Sequence, residues 1–231
     1  MAMRLVGGIA ILACLLTSSA ALAEREAANR PTPRERSTRL GPSLPKSPDV
    51  FGTVALKAGV TSYDARFRRV AAADARDPLV SGLAAGAVSL DPLSKIGFVQ
   101  AEVGRRVRWV HDLDGMGVAD YWSNAGETLR RGVGDSEDIA IVKMQVLKAA
   151  GFNPNDLYIS IGRHRSRGAH VLLLARTPGG FMVLDDQGAK PMSPAQHARF
   201  TPIMTLSPGV SWIHGRRAAG MAAPGRRANA R

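Results

Sequence analysis

The chain has 231 residues, with 31 Lys and Arg against 19 Asp and Glu, and a formal net charge of +12. A balance this basic suggests nucleic acid or an anionic surface as a partner. Much of the excess lies in two Arg-rich segments, 24–50 with its prolines and 215–231 among Ala and Gly, and we expect both to be disordered. Because no basic stripe is interleaved with aromatic residues, we expect no nucleic-acid binding; the tails suit anionic envelope components better.

Residues 1–23 have the features of a signal peptide. Arg4 precedes a short apolar run, Leu5–Leu16, and Ala21–Ala23 is an A-x-A cleavage site. The run is too short to span a bilayer as a helix, so we expect an exported, periplasmic protein, with lipidation of Cys14 as an alternative. Cys14 is the only cysteine. Cleavage after residue 23 therefore excludes disulfides, thiolate metal sites and a cysteine nucleophile in the mature chain.

The folded domain is predicted to span residues 51–214 and to begin with helices. Asp91 and Pro92 open one helix, with the proline at a tolerated first position. Apolar residues then recur at spacings of three and four and predict one buried face, formed by Ile96, Val99, Val103, Val107 and Val110. Residues 111–117 have the composition of a loop. A short helix over 123–131 follows, with Ser123 or Asn124 as its cap.

The segment 132–151 predicts a helix buried in the middle of the domain. Its residues are apolar almost all round, and those left for water are Lys143, Gln145 and Lys148. Asp135 can cap this helix, with Asp138 in the first turn, so Ser136 takes the first helical position. Unpaired N–H groups and the helix dipole favour an anion there, which suits a nucleophile. The alternative is that Ser136 is only part of an ordinary helix start.

Three strands are predicted after this helix. Residues 157–161 alternate apolar and polar, 169–175 form a nearly continuous apolar run typical of a central strand, and 181–184 follow a turn and complete a hairpin. Segments 203–206 and 210–213 are weaker strand candidates. Helices followed by an antiparallel meander predict an α+β domain.

Two polar residues stand out in these strands. His170 enters the central strand, and Asp185 ends the next one. Neighbouring antiparallel strands can place them side by side, and with Ser136 they would supply a nucleophile, a base and an orienting carboxylate. Each also has a structural interpretation: His170 as a strand-end residue with a local hydrogen bond, and Asp185 as a turn residue.

The spaced motifs resemble those of the bacterial transglutaminase-like cysteine proteinases, LapG-type periplasmic proteases with a papain/transglutaminase-like fold. The family's helix start, Gly-Asp-Cys-Glu-Asp-Tyr-Ala, is similar to residues 134–140, Gly-Asp-Ser-Glu-Asp-Ile-Ala. Its strand histidine is similar to His170, its Leu-Asp-Asn motif to Leu184–Asp186, and its Asp-Tyr-Trp segment to Asp120–Trp122. The resemblance implies that fold, with a buried nucleophile helix packed on an antiparallel sheet.

The triad implied by the resemblance consists of Ser136, His170 and Asp185, with Ser136 in place of the family's cysteine. A serine hydroxyl is not stored as an anion in the way a thiolate is, and its bond to carbon is shorter. We therefore expect weak or absent proteolysis, and a pseudoprotease that binds a peptide or adhesin segment; the alternative is an active serine hydrolase. The Ser136 N–H and the Trp122 indole are candidates for an oxyanion hole.

The resemblance also implies calcium, because the family's calcium ligands include the acids that flank the cysteine, here Asp135 and Glu137. Carboxylates at this spacing are reasonable calcium ligands but too few by themselves. Asp112 and Asp114 could add ligands, although helix capping and dipole complementation explain the first-turn acids equally well. An inner-membrane receptor is a further partner that the resemblance implies, and no organic cofactor is expected.

Overall fold

The computed structural model describes residues 44–72 and 76–216, and the predicted signal peptide lies outside them. Most of the segment 24–50 and the basic tail after Arg216 also lie outside. The domain limits of 51 and 214 stay a prediction. Within the predicted linker, Asp49 accepts a hydrogen bond of 2.9 Å from the Ala55 N–H. None of the helices in the described residues combines the length and apolar character that a bilayer crossing requires.

Six helices precede most of the main sheet in the described residues, which confirms the predicted α+β class. The helices are α1 (Asp64–Ala71), α2 (Pro78–Ala85), α3 (Pro92–Arg106), α4 (Asp112–Met116), α5 (Ala125–Arg131) and α6 (Ser136–Ala149). The strands are β1 (Val54–Lys57), β2 (Arg108–Trp109), β3 (Val133–Gly134), β4 (Leu157–His164), β5 (Gly168–Thr177), β6 (Gly180–Leu184), β7 (Phe200–Ser207) and β8 (Val210–Gly215). A 3-10 turn, Pro154–Asp156, connects α6 to β4.

The main sheet has six strands in the order β1-β8-β7-β4-β5-β6, and all neighbouring pairs are antiparallel. All five predicted strands are present. Strand β5 lies inside the sheet between β4 and β6, in agreement with its continuous apolar run. The sequence reasoning missed β1, which has four residues and too short a pattern for alternation to be recognised.

The predicted continuation of helix α3 as far as Val110 is wrong. The helix ends at Arg106, although the apolar spacing continues past it. The Val110 N–H donates instead to the Gly134 carbonyl at 3.0 Å, so this segment leaves the helix and β2 pairs in parallel with β3. The predicted loop 111–117 also needs correction, because it contains helix α4. The pairing of β2 with β3 holds α4 beside the start of α6.

Helix α6 lies in the middle of the domain, as its composition predicted. The expectation that Lys143 and Gln145 face water is wrong, because these side chains are 0% and 1% exposed. Gln145 Nε2 donates to the Val70 carbonyl at 2.7 Å, and Lys143 Nζ donates to the Asp185 carbonyl. Buried polar groups require such partners. Helix α6 is therefore hydrogen-bonded both to helix α1, through the Val70 carbonyl, and to the end of β6, through the Asp185 carbonyl.

Candidate active site

The amino end of α6 has the predicted cap. Asp135 is extended, and its Oδ1 accepts a hydrogen bond of 3.3 Å from the Asp138 N–H, so the helix begins at Ser136. Ser136 is 7% exposed. Its Oγ accepts a hydrogen bond from the Val171 N–H at 3.2 Å and donates to Glu137 Oε2 at 3.2 Å. The helix start therefore lies against strand β5, one residue beyond His170.

His170 and Asp185 form a buried pair. His170 Nε2 lies 2.7 Å from Asp185 Oδ1, and the two residues are 3% and 4% exposed. The Asp185 main chain is fixed independently, because its carbonyl accepts hydrogen bonds from Gln100 Nε2 at 2.9 Å and from Lys143 Nζ. The imidazole is consequently oriented by a carboxylate that two buried side chains hold in place.

The Asp185 carboxylate is strongly favoured in its ionised form. Burial alone would raise the pKa of Asp185, but the contacts of its oxygens with His170 and His197 outweigh burial and hold the pKa well below its usual range. Arg167 Nη2 also donates to Oδ2 at 2.9 Å. His197 Nε2 lies 3.0 Å from Oδ2, but the two groups are not aligned for a hydrogen bond. An ionised Asp185 can stabilise a protonated imidazole at His170.

Asp186 lies on the other side of the His170 ring. Its Oδ2 is 3.9 Å from His170 Nδ1 and has no hydrogen-bond partner in the described residues. Arg167 Nη1 donates to the other oxygen, Oδ1, at 2.5 Å. Burial, and next the neighbouring Asp185, raise the pKa of Asp186. In the sequence, Asp186 was notable only because it replaces the Asn of the family's Leu-Asp-Asn motif.

The structure joins only two of the three predicted triad residues directly, and the complete triad stays a prediction. His170 and Asp185 are in contact, whereas neither hydrogen bond of the Ser136 hydroxyl involves the imidazole. The hydroxyl reaches only the main chain of Val171, the residue after His170. The arrangement holds an imidazole beside an ionised carboxylate, and a hydroxyl that is hydrogen-bonded to other partners.

Sequence reasoning missed a group of rings that packs around His170. His164 lies 5.9 Å from both His170 and His197 between ring centroids. Phe200 lies 6.1 Å from His170, edge to face, and stacks on His197 at 6.1 Å. His164 could have been found, since it ends the strand paired with the His170 strand. His197 lies in a loop, and no periodicity marks it.

The proposed oxyanion role of Trp122 stays a prediction. The side chain is 2% exposed, and its ring is tilted over Tyr63 with centroids 5.8 Å apart. The Trp122 carbonyl accepts a hydrogen bond of 2.6 Å from Arg69 Nη2, and the next N–H, of Ser123, donates to Asp138 Oδ1 at 2.8 Å. These contacts hold the Trp122 segment beside the first turn of α6.

An acidic cluster surrounds this first turn. Two overlapping sets each have ligand oxygens within 4.8 Å of one another, Asp112 with Asp120 and Glu137, and Asp112 with Asp135 and Asp138. Asp112 is 4% exposed; its Oδ2 accepts from the Tyr121 N–H at 2.6 Å, but its buried Oδ1 has no hydrogen-bond partner among the described residues. Asp114, the other predicted addition, belongs to neither set.

The carboxylates in this cluster repel one another. Burial, and next the charges of Glu137 and Asp112, raise the pKa of Asp135 to about 9, and burial also raises the pKa of Glu137. Asp138 is already paired, because Arg131 Nη2 donates to its Oδ2 at 3.1 Å. Crowded carboxylate oxygens, among them a buried Oδ1 without a partner in the described residues, are the ligands that a hard cation takes, and a cation would relieve the repulsion that raises these pKa values. These residues therefore fit calcium.

The buried helix, the antiparallel sheet and the groups gathered where they meet define a papain/transglutaminase-like fold. The model of the family described as "Bacterial transglutaminase-like cysteine proteinase BTLCP" matches residues 79–209, more than half of the chain. The chain belongs to this family.

Solved structures agree on the fold. Calcium-bound LapG from Legionella pneumophila superposes with a TM-score of 0.52 at 21% identity, covering 62% of this chain and 82% of that one. A second structure of Legionella pneumophila LapG gives a TM-score of 0.51 at 20% identity, with 68% and 90% covered. A search of curated proteins gave no match.

Proposed function

We propose that this chain is a peptide-binding member of the family in which Ser136 occupies the position of the catalytic cysteine and cleavage is weak or absent. One observation carries the proposal: the Ser136 hydroxyl is bonded to the Val171 N–H and to Glu137 rather than to the imidazole. A serine becomes a nucleophile only if a base removes its proton during attack. Here the hydroxyl donates to Glu137, and no hydrogen bond among the described residues connects that carboxylate to His170.

The chemistry of the replacement supports the same conclusion. A thiol at a helix start beside a histidine ionises readily and stays poised as an anion. A hydroxyl is far more basic, and its oxygen lies closer to Cβ than a sulfur would. Displacement of the attacking atom by about 1 Å can cost on the order of 10²-fold in rate. A site shaped for sulfur therefore retains its ability to bind a peptide better than its ability to cut one.

A second candidate function is an active serine hydrolase. The observation that favours it is the intact His170–Asp185 pair at 2.7 Å, with Asp185 ionised. If the hydroxyl turned towards the imidazole, His170 would accept its proton and Asp185 would stabilise the imidazolium. The Ser136 N–H at the helix start would then be available to an oxyanion, with the Trp122 indole as the second donor.

Calcium is part of the proposal. Asp112, Asp135 and Glu137 would hold the ion, with Asp120 at the rim of the cluster. When bound, calcium supplies positive charge that neutralises the crowded carboxylates next to the helix start. The residues themselves fix the amino end of α6, because Asp135 caps it and Glu137 accepts the Ser136 hydroxyl proton.

The setting of this activity is proposed from the amino-terminal segment and the family. We propose export to the periplasm, with a peptide or surface-adhesin segment as the ligand and an inner-membrane receptor as a further partner. The Arg-rich terminal segments would contact anionic envelope components. Fractionation of cells that express the full chain, with detection of the cleaved form, tests export; retention in the cytoplasm would refute it.

The two candidate functions are separated by labelling with a fluorophosphonate probe. The pseudoprotease proposal expects no labelling of the wild-type chain and peptidase activity in Ser136→Cys. Labelling that Ser136→Ala abolishes, and that the exposed control Ser81→Ala retains, would instead establish the hydrolase. Absence of both labelling and Ser136→Cys activity, in protein with unchanged melting temperature, would contradict a peptidase-like site altogether.

A further inference from the structure

One side of the sheet carries a row of aliphatic side chains on four neighbouring strands. Leu56 of β1 is paired with Ile213 of β8, and Ile213 with Met204 of β7. Met204 is paired in turn with Ile161 of β4. Because directly paired residues project from the same side of a sheet, these four side chains form one line, called here the aliphatic row.

The aliphatic row is half-buried at one end and exposed at the other. Ile161 and Met204 are half-buried and pack against the core, whereas Leu56 and Ile213 are 62% and 49% exposed. Ile203, the unpaired residue at the bulge between β4 and β7, is also 49% exposed. Single exposed aliphatic residues are common, whereas exposed aliphatic residues next to one another, as here, are typical of a binding surface.

The half-buried end of the aliphatic row meets the candidate active site. Ile161 is paired on its other side with Val171 of β5, and the Val171 N–H is the donor to Ser136 Oγ. A chain lying along the row would therefore reach the amino end of α6 without leaving the sheet. This continuity connects an exposed apolar surface to Ser136.

Three exposed arginines flank this end of the row. Arg163 follows Ile161 by two residues on β4, so it projects from the same side. Arg165 and Arg199 are adjacent, because the Arg165 N–H donates to the Arg199 carbonyl at 2.9 Å. None of these three guanidinium groups pairs with a carboxylate within the described ranges, in contrast to Arg167, which contacts two. The local surface is consequently cationic and uncompensated.

We propose that the aliphatic row and these arginines bind an extended polypeptide with alternate aliphatic side chains and an acidic segment, and direct its main chain to Ser136. The proposal rests on the proposed function, because it names the class of peptide that the site accepts. Alternate side chains of an extended peptide face one way, which matches a line of aliphatic groups. A second copy of this chain is a poorer occupant, since its net charge of +12 opposes association with a cationic surface.

The experiment uses two fluorescent synthetic peptides on the full mature chain. The acidic probe alternates Leu with Ser and ends in three Glu residues; the basic probe replaces each Glu with Lys. Fluorescence anisotropy measures the dissociation constant of each at low and high salt. We expect the acidic probe to bind at least about tenfold more tightly than the basic probe, with the difference reduced at high salt.

Matched variants locate the surface. Leu56→Asp and Arg163→Glu are each expected to weaken binding of the acidic probe by about tenfold or more. Leu93→Asp, on a leucine that is 56% exposed on α3, and Arg108→Glu on β2 are the controls and should change it less than about twofold. Melting temperatures establish that each variant is folded.

The outcomes separate this surface from the proposed function. Equal binding by Leu56→Asp, Arg163→Glu and the controls would overturn the surface, as would equal affinity for both probes or no binding of the acidic probe at 1 mM. Hydrolysis of a short ester by Ser136→Cys tests the site alone, because such an ester is too small to reach the aliphatic row. If Ser136→Cys hydrolyses the ester while Leu56→Asp binds the acidic probe as tightly as the wild-type chain, the proposed function stands and the peptide-binding surface is refuted.

Discussion

Calcium should stabilise the folded chain through the acidic cluster at the start of α6. Asp112, Asp135 and Glu137 crowd there, and burial and mutual repulsion raise the pKa of Asp135 to about 9. Unfolding separates these carboxylates, so the unfolded chain should bind calcium weakly. A ligand that binds only the native state raises the free energy of unfolding by mass action.

The magnitude follows from occupancy. Calcium at 100 times its dissociation constant adds about 2.7 kcal/mol. For a domain of this size, 1 kcal/mol shifts the melting temperature by about 2–4 °C, so the expected rise is about 5–10 °C. Each further tenfold in calcium concentration should add about 1.4 kcal/mol. The shift should therefore grow with the logarithm of the calcium concentration.

The pH dependence has a definite sign. Without calcium, the folded protein keeps the Asp135 proton that the unfolded chain releases above pH of about 4, so stability falls as pH rises from about 4 to 9. Calcium must displace this proton at pH 7, and its affinity should rise with pH up to about 9. Calorimetry in buffers of different ionisation enthalpy measures the proton released, which should approach one per calcium at pH 7.

The assay is differential scanning fluorimetry with EGTA and with increasing calcium. Asp135→Ala combined with Glu137→Ala should abolish the rise in melting temperature, and Asp112→Asn should reduce it. Asp114→Asn is the control, because Asp114 lies on the same short helix α4 and is exposed. A wild-type chain that shows no shift at 5 mM calcium, or a shift that survives the double substitution, would refute the reasoning.

Two further predictions concern the support of the His170–Asp185 pair. Gly162→Ala should destabilise the protein by about 3 kcal/mol or more in chemical denaturation. A Cβ at this position would meet the Thr201 carbonyl oxygen at 2.3 Å and the Phe200 ring at 2.6 Å. Gly104→Ala is the control, because a Cβ there has open space around it, and equal destabilisation by the two substitutions would contradict this account. Burial lowers the pKa of Lys143 to about 8. Between pH of about 8 and 10.5, the free energy of unfolding of the wild-type chain should therefore rise by about 1.4 kcal/mol per pH unit relative to that of Lys143→Met. Parallel stability profiles of the two proteins over that range would show that burial does not lower the pKa of Lys143 in the folded state.

The start of α6 could be predicted because helix capping is local chemistry. Asp135 and Asp138 stand three residues apart in the sequence, and that spacing alone specifies the cap and places Ser136 first in the helix. The strand that carries His170 could be predicted from its nearly continuous apolar run, and the strand before Asp185 from the turn that leads into it. By contrast, the apolar spacing through Val110 misled the prediction of α3, because a parallel partner strand competed for its N–H groups.

The sequence by itself determined the α+β class, the buried helix, the strands that follow it and the family, because these depend on residues close together in the chain or on motifs in fixed order. Only the tertiary structure decided the partners of the Ser136 hydroxyl, the burial of Lys143 against Asp185, and the meeting of Asp112 with Glu137 in one acidic cluster. The aliphatic row could likewise not be predicted, because its four residues come from four separate strands. Such features arise from contacts between distant residues, whose spacing along the chain carries no information about their distance in space.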